Sequence, residues 1–207
     1  LPSLLAESID LKIDEVYGMH NWPGVELGKF AIRSGPFFAA SDFIEAIISG
    51  KGGHAAKPHE TIDPTVIASQ IVVALQTIAS RRSDPVEQVV VSITSFETSS
   101  TAFNVIPQEV KIKGTVRTLD PDVRDLAEKE FLRITELTAE AMGGSADAKF
   151  TRGYPVMSNS SEQTEFAAKV ARDVAGECAE APLVMGGEDF AYMLGERPGA
   201  YILSVSY

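Results

Sequence analysis

The sequence of 207 residues is poor in cysteine and histidine, with one cysteine and three histidines. A single cysteine excludes an internal disulfide and fits a reducing compartment. No apolar run is long enough to span a bilayer, and residues 1–5 lack the basic flank of a secretory signal. The net charge of −11, without a basic stripe, disfavours nucleic acid and anionic membranes because their phosphates would repel it. We therefore expect a soluble, cytoplasmic protein with no nucleic-acid or membrane partner.

Two of the three histidines lie in a glycine-flanked turn, residues 51–59, with the sequence Lys-Gly-Gly-His-Ala-Ala-Lys-Pro-His. Glycine permits positive φ and a close approach of the backbone to a ligand, and loops on a rigid scaffold often carry binding groups. His54 and His59 are therefore candidate functional residues, although a solvated turn with incidental histidines is the competing interpretation. His20 follows a short strand, where it either faces a ligand or packs beside Trp22 with its ring satisfied by backbone.

Hydrophobic patterns over residues 36–152 predict the order strand, helix, strand, strand, helix, strand. Both helices begin with an aspartate N-cap followed by proline at the first helical position, at Asp63-Pro64 and Asp120-Pro121. This order predicts a split βαβ arrangement, in which a four-stranded antiparallel sheet carries both helices on one face. The open edges of such a sheet invite pairing with a second copy.

Residues 153–207 have a different pattern. Ser160 and Gln163 are spaced as a capping box, and the helix that follows has an apolar face that includes Phe166, Val170 and Val174. A glycine-rich turn then carries Glu188, and an apolar strand is predicted over residues 200–204.

Three further polar residues have a functional and a structural interpretation each. Arg117 can hold a substrate carboxylate through a bidentate pair, or it can pair with an aspartate such as Asp120. Asn104 can contact substrate or only shape the turn before Val-Ile-Pro. Glu188, next to Asp189, can bind a metal or orient a substrate, but a helix N-terminus also attracts carboxylates.

Five motifs together resemble the M20 metallopeptidase family, and above all the amidohydrolases that include hippurate hydrolase and indole-acetyl-amino-acid hydrolases. The motifs occur in the family's order along nearly the whole chain. They are Gly18-Met19-His20-Asn21-Trp22-Pro23, Gly52-Gly53-His54-Ala55-Ala56-Lys57-Pro58-His59, Asn104-Val105-Ile106-Pro107, Gly114-Thr115-Val116-Arg117 and Gly187-Glu188-Asp189-Phe190.

The resemblance implies a zinc-peptidase-like α/β catalytic domain interrupted by a smaller α+β lid domain that dimerises. Residues 1–35 and 153–207 would be pieces of the catalytic domain, and residues 36–152 would be the lid. Family members use two divalent ions (Zn, Mn, Co or Ni) to hydrolyse the amide bond of N-acyl amino acids such as hippurate. The metals activate water and polarise the carbonyl, and a glutamate is the general base.

The resemblance also implies roles for individual residues. His20 would be a metal ligand. His54 would reach the site of a neighbouring subunit in a homodimer and stabilise the oxyanion. Asn104 and Arg117 would hold the carboxylate end of the substrate. Gly187 and Glu188 would line the pocket.

Several family motifs are absent from this sequence. They are the His-x-Asp motif, the Gly-Cys-x-His-Asp-Gly-His run and the Glu-Glu pair of the family's N-terminal half, together with a histidine ligand near its C-terminus. One histidine does not hold a divalent ion as three or four protein ligands do. We therefore expect a partial chain that lacks the N-terminal metal-binding half, binds no metal tightly and is inactive alone. The alternatives are a non-catalytic dimerisation module, another family activity such as dipeptidase or desuccinylase, and a site completed by a separate chain.

Overall fold

The computed structural model describes residues 12–23 and 25–205. Residues 1–5, where the sequence suggested no secretory signal, lie outside the described part. The chain divides into two compact units, which we call unit 1 (Leu1–Ala40 and Tyr154–Tyr207) and unit 2 (Ser41–Gly153). The catalytic and lid roles assigned to residues 1–35, 36–152 and 153–207 stay predictions.

Unit 2 is built on a four-stranded sheet with the strand order β6-β8-β4-β9, and β6 and β8 run antiparallel. The elements of unit 2, two of which extend by one residue into unit 1, are β4 (Ala40–Ser49), β5 (Gly53–His54), α1 (Pro64–Leu75), β6 (Val89–Thr98), β7 (Val105–Ile106), β8 (Glu109–Thr118), α2 (Pro121–Ala141) and β9 (Ser145–Tyr154). When the four long strands are numbered by their order along the chain, their order across the sheet, read from β9, is fourth, first, third and second. This is the order of a split βαβ fold, so the predicted fold class is confirmed.

Both long helices of unit 2 pack on the same face of its sheet. Buried side chains of α1, such as Ile71, and of α2, such as Phe131, share one hydrophobic cluster with Ile48, Ile112 and Val116 of the strands. The opposite sheet face carries the ion pair between Glu45 and Lys111. Burial of one apolar sheet face therefore positions both helices, as the alternating pattern predicted.

The helices of unit 2 begin where the sequence predicted. Asp63 accepts a hydrogen bond from Thr65 N at 2.8 Å, and Asp120 caps α2 in the same way. The sequence predicts that the first helix stops near Arg81 and Arg82, but regular α-helix ends at Leu75 and a π-helical turn, Ile78–Arg82, follows. Among the helices that the structure describes, none has both the length and the apolar character needed to cross a bilayer.

A buried ion pair fixes the start of α2 against the sheet of unit 2. Arg124 donates to both carboxylate oxygens of Asp42, with its Nε 2.9 Å from Oδ2. Gly153 N donates to the same carboxylate at 3.0 Å, while Thr115 donates to the Asp42 carbonyl at 2.8 Å. Because Asp42 is fully buried, this set of hydrogen bonds compensates a charge that would otherwise be costly to desolvate.

Unit 1 contains a mixed four-stranded sheet with the order β1-β12-β2-β11 and a two-stranded pair of β3 with β10. The β1 and β12 strands are parallel, and β12 and β2 are antiparallel. The elements of unit 1 are β1 (Val16–Asn21), β2 (Phe30–Ile32), β3 (Gly35–Phe38), β10 (Met157–Asn159), α3 (Ser161–Ala175), β11 (Ala179–Glu180), α4 (Ala191–Glu196) and β12 (Gly199–Ser204).

The start of the α3 helix differs from the sequence prediction. Ser160 occupies the N-cap position, but its hydroxyl accepts a hydrogen bond from Gly199 N, and Gln163 donates to Glu15, so no capping box forms. The apolar face of the helix is exposed, since Phe166 and Val174 both face outward while small and polar residues face the sheet.

Candidate functional site

His54 and Asn104 are brought together by a short antiparallel ribbon in unit 2. The β5 strand pairs with β7, with Gly53 opposite Ile106 and His54 opposite Val105. Ala55 N then donates to the Asn104 carbonyl at 2.9 Å. Both side chains are exposed to solvent. This ribbon therefore presents an imidazole and a carboxamide at one exposed edge of unit 2.

Close packing, rather than unusual backbone conformation, explains the glycines of the turn. Gly52 and Gly53 do not adopt the positive φ that the sequence allowed for. A Cβ at Gly52 would lie 2.8 Å from the Ile106 carbonyl oxygen, so only glycine lets the strands meet. Gln108, which the sequence analysis missed, holds the turn by accepting from Gly52 N at 3.0 Å and donating to the Gly50 carbonyl at 2.7 Å.

The hydrogen bonding of His54 selects one tautomer. Its Nδ1 accepts a hydrogen bond from Ala56 N at 3.1 Å. Since a backbone N–H is only a donor, Nδ1 must be unprotonated in the neutral ring, and the proton is on Nε2. The His54 ring therefore presents an N–H donor to solvent, which is the group that an oxyanion requires.

His59 does not join His54 at the ribbon. It lies in a 3₁₀ turn, Pro58–Glu60, that follows the ribbon and contains no buried residue. Its Nε2 is 3.7 Å from the Glu60 carboxylate. An exposed contact of this kind contributes little, so the interpretation of His59 as an incidental surface histidine is favoured.

Arg117 lies at the far end of β8 from the ribbon. It is paired in register with Val90 and is half-buried. Eight residues of strand, or roughly 26 Å, separate it from Glu109, where β8 begins just after the ribbon. The alternative interpretation was an ion pair between Arg117 and Asp120. The described side chains do not form this pair, and the Asp120 carboxylate caps α2 instead. One copy of unit 2 therefore does not bring Arg117 together with Asn104.

His20 lies on β1 of unit 1 in an aromatic environment. Its ring centroid is 5.5 Å from that of Trp22 and 6.4 Å from that of Tyr201. Its Nδ1 lies 2.9 Å from the Asn21 carbonyl oxygen, so Nδ1 carries the proton and donates. The ring therefore packs beside Trp22 and bonds the backbone, as the interpretation without a ligand predicted. Its Nε2 nevertheless keeps a free lone pair, and this is how a metal-binding histidine is usually oriented.

Glu188 is held by Tyr201, a residue that the sequence analysis treated only as part of an apolar strand. Tyr201 Oη donates to Glu188 Oε2 at 2.8 Å, and Phe190 N donates to Oε1 at 3.4 Å. Asn159 fixes the backbone of Tyr201 by accepting from its N and donating to its carbonyl. The only sequence signal for this arrangement was a hydroxyl-bearing residue in an otherwise apolar strand.

Burial determines the ionisation of the tyrosine that holds Glu188. Desolvation raises the pKa of the Tyr201 phenol, and the hydrogen bond to Glu188 raises it further. The phenol therefore stays protonated and remains a donor through the physiological pH range. Gly187, beside Glu188, is half-buried in the same turn.

The predicted metal ligand, His20, does not belong to a cluster of metal-binding side chains among the described residues. His20 Nε2 is suited to bind a divalent ion. Across residues 12–23 and 25–205, however, no three side chains of the histidine, cysteine, aspartate and glutamate types come together as such a site requires. A two-metal centre is therefore not formed by these residues alone.

Comparison with known proteins gives one family. The sequence profile of Peptidase family M20/M25/M40 matches residues 3–206. N-acetyl-L-cysteine deacetylase of Bacillus subtilis (strain 168) is 38% identical over 189 residues, covering 91% of this chain and 45% of the relative. N-acyl-L-amino acid amidohydrolase of Geobacillus stearothermophilus is 45% identical over 150 residues, covering 72% of this chain and 40% of the relative.

A solved structure agrees with these relatives. The YXEP protein of Bacillus subtilis, described as a dinuclear metal binding peptidase from the M20 family, superposes with a TM-score of 0.80 at 29% identity. The match covers 98% of this chain and 51% of that chain. The chain thus spans about half the length of the curated relatives that it matches.

Proposed function

Because this chain belongs to peptidase family M20/M25/M40, we propose that it forms part of a metal-dependent amidohydrolase that cleaves the amide bond of N-acyl amino acids. Two relatives support this substrate class, since one is named a deacetylase of N-acetyl-L-cysteine and the other an amidohydrolase of N-acyl-L-amino acids. Hippurate-like compounds, which join an aromatic acyl group to an amino acid with a free carboxylate, are natural test substrates.

The observation that carries this proposal is the fixed tautomer of His54. A neutral imidazole with its proton on Nε2 can donate to the oxyanion that develops when the amide carbonyl is attacked. The Ala56 N–H sets this tautomer before substrate arrives. Asn104, on the same ribbon, is placed to donate through its amide group to the same substrate. His54 is thus the catalytic residue of this chain, and Asn104 binds substrate.

The separation along β8 supports a homodimer. His54 and Asn104 lie at the ribbon that precedes that strand, whereas Arg117 lies roughly 26 Å beyond the first residue of the strand, Glu109, at 3.3 Å per residue. We propose that the ribbon of one copy serves the site of its partner, while Arg117 binds a substrate carboxylate in a different site. Unit 2 would then be the lid and dimerisation domain, and unit 1 would contribute pieces of the catalytic domain, with Gly187 and Glu188 in the pocket wall.

We further propose that metal binding needs ligands beyond the described residues. His20 would supply one nitrogen through Nε2, because its Nδ1 is already committed to the Asn21 carbonyl. The chain by itself would then hold no pair of divalent ions tightly and would not turn over substrate. Its single cysteine, Cys178, is free, which is consistent with a cytoplasmic location.

Complementation tests the proposal. The chain is produced alone and together with the part of the Bacillus subtilis deacetylase that lies outside the match, and release of amino acid from N-acetyl-L-cysteine and hippurate is measured. We expect no turnover by the isolated chain and turnover by the complemented pair. His54→Gln should lower kcat about 10²- to 10³-fold, whereas His59→Gln, in the same turn, should leave it unchanged.

Metal content and mass give the opposing outcomes. Two tightly bound divalent ions on the isolated chain, or hydrolysis by it, would contradict its proposed dependence on a second half. A monomeric mass at high concentration in light scattering would contradict the homodimer. A folded, complemented complex that dimerises without hydrolysing any N-acyl amino acid would instead support a non-catalytic dimerisation module.

A further inference from the structure

The face of the ribbon that carries His54 also carries an apolar side chain. Residues directly opposite each other in an antiparallel pair project from the same face, and His54 is paired in register with Val105. The Cβ atoms of such a pair lie about 4.5–5.5 Å apart. Val105 is 44% exposed, so its methyl groups are open to solvent beside the imidazole. The candidate oxyanion donor therefore has an apolar neighbour that unit 2 leaves partly uncovered.

A larger apolar side chain lies two residues before Val105. The Val105 N–H donates to the Ala102 carbonyl at 3.4 Å. This bond closes a β-turn with Phe103 and Asn104 as its central residues. Phe103 is fully exposed, and it is the most exposed large apolar residue in the described part of the chain. Since an aromatic side chain buries about 150–250 Å² when it is covered, this ring offers a large contact area next to Asn104.

The loop around Phe103 is fixed by hydrogen bonds at its base and near its tip. Ser99 N donates to the Glu109 carbonyl at 3.0 Å, and Glu109 N donates to the Ser99 hydroxyl at 3.1 Å, which closes the base. Near the tip, Ala55 N donates to the Asn104 carbonyl at 2.9 Å. A preorganised loop loses little conformational entropy when a ligand binds to it. The exposed ring is thus presented from a defined position on unit 2.

The surface around these apolar side chains is uncharged. Residues 52–56 and 99–107, which form the ribbon and the loops beside it, contain no aspartate, glutamate, lysine or arginine, whereas 23% of the whole chain is charged. Ligand pockets are lined mainly by apolar and aromatic side chains with a few placed polar groups. The tip of the ribbon has this composition, with His54 and Asn104 as the polar groups, and is therefore suited to contact an apolar part of a ligand.

The chemistry of an N-acyl amino acid decides which part of it such a surface can contact. His54 is proposed to donate to the oxygen of the scissile carbonyl, and the acyl substituent is bonded directly to that carbonyl carbon. The other side of the amide bond ends in a carboxylate, which is costly to desolvate against apolar side chains. Val105 and Phe103, close to His54, therefore suit the acyl side of the substrate.

We propose that Val105 and Phe103, which we call the apolar wall, contact the acyl group of the substrate and make large apolar acyl groups preferred over acetyl. This inference rests on the proposed function and deepens it, because it names the class of acyl group. It does not depend on which copy of the chain holds the site, since the ribbon carries His54 and the apolar wall together.

Hippurate and N-acetylglycine provide a matched pair of test substrates, because both contain glycine with its carboxylate and they differ only in the acyl group. The kcat/KM of the complemented protein is measured for each, and hippurate should give the higher value. Phe103→Ala should lower the ratio of the two values about tenfold or more, since even one methylene group in an apolar pocket changes discrimination by that order. Val105→Ala should lower the ratio in the same direction, and Phe103→Leu should retain most of it.

Val86→Ala is the matched control for Val105→Ala. Val86 lies between the π-helical turn and β6 and is 82% exposed, so its truncation should leave the ratio unchanged. Light scattering is recorded for every variant. If Phe103→Ala lowers both kcat/KM values equally, or converts a dimer to a monomer, the ring packs against protein instead of an acyl group and the proposal is wrong.

A binding measurement separates this proposal from the proposed function. Metal is removed from the complemented protein so that no turnover occurs, and the dissociation constants of hippurate and N-acetylglycine are measured by isothermal titration calorimetry. Phe103→Ala should weaken hippurate binding about tenfold more than N-acetylglycine binding. That result, without hydrolysis by the metal-loaded protein, would support the apolar wall while the proposed function fails. Hydrolysis of both substrates with an unchanged ratio would support the proposed function and overturn the apolar wall, and so would hydrolysis of N-acetylglycine without any binding of hippurate.

Discussion

Tyr201 Oη donates a hydrogen bond of 2.8 Å to Glu188 Oε2, which connects the last described strand to the turn that carries the predicted pocket residues. The same tyrosine ring lies 5.1 Å from the ring of Phe190 and 6.4 Å from that of His20. The Tyr201 side chain thus lies close to both a predicted metal ligand, His20, and a predicted substrate-binding carboxylate, Glu188. Its backbone, held by Asn159, makes this position rigid.

We expect Tyr201→Phe to lower the free energy of unfolding by about 1.5 kcal/mol, because it removes a buried hydrogen bond to a charged acceptor while keeping the ring. Chemical denaturation followed by circular dichroism measures the change. Tyr17→Phe is the matched control, since Tyr17 also donates to a glutamate, Glu15, but at an exposed position. That variant should change stability by less than about 0.5 kcal/mol. Equal effects would contradict a special role for the bond to Glu188.

Stability should fall in alkaline solution because the pKa of Tyr201 is raised above its ordinary value of 10.0 in the folded chain. Above that value the unfolded chain releases the phenolic proton while the folded chain retains it, so folding becomes less favourable as pH rises. The limiting slope is about 1.4 kcal/mol per pH unit for one group. Unfolding free energies measured from pH 9 upward should decline less steeply for Tyr201→Phe, and parallel curves would contradict this assignment.

The buried pair of Asp42 and Arg124 should be the most sensitive polar site of unit 2. Asp42→Asn leaves the guanidinium without its carboxylate and should cost about 3–5 kcal/mol of unfolding free energy. Adding Arg124→Met should recover part of that loss, because the buried charge is then removed as well. Asp173→Asn breaks the exposed pair with Lys169 and should cost less than about 0.5 kcal/mol. Urea denaturation of the four proteins measures all three differences.

Much of unit 2 could be predicted from the sequence because local signals agree with tertiary packing there. Asp63 and Asp120 cap their helices, and the alternating residues of β8, such as Val110 and Ile112, are buried as expected. The apolar spacing of α2 also predicts that Leu137 lies on the same face as Phe131 and Ile134, and this part of the prediction was wrong. Leu137 is exposed whereas Thr135 and Ala139 are buried, because the inward face of a long helix drifts around its axis relative to a fixed spacing.

Unit 1 was harder to predict because its side chains follow partners distant in sequence. Gln163 bonds Glu15, and Tyr201 bonds Glu188, and no local pattern specifies either pair. The apolar face of α3 was recognised correctly as apolar, but periodicity does not say whether a partner within the described residues covers it. The candidate site shows the same division. Its residue types were evident in the sequence, whereas the separation of Arg117 from the ribbon became visible only with the β8 register.

The two histidines with predicted roles should be opposite neutral tautomers. His54 Nδ1 accepts from Ala56 N at 3.1 Å and leaves the proton on Nε2, whereas His20 Nδ1 donates to the Asn21 carbonyl at 2.9 Å and leaves Nε2 free. Long-range ¹H–¹⁵N correlation spectra at pH 8 should show a protonated Nε2 for His54 and a protonated Nδ1 for His20. Exposed His59 provides the internal control and should show the averaged pattern of a solvated ring. Addition of Zn²⁺ to the complemented protein should shift His20 Nε2 and leave the tautomer of His54 unchanged. The same tautomer at both sites would remove the physical basis for one ring acting as a donor to an oxyanion and the other as a ligand.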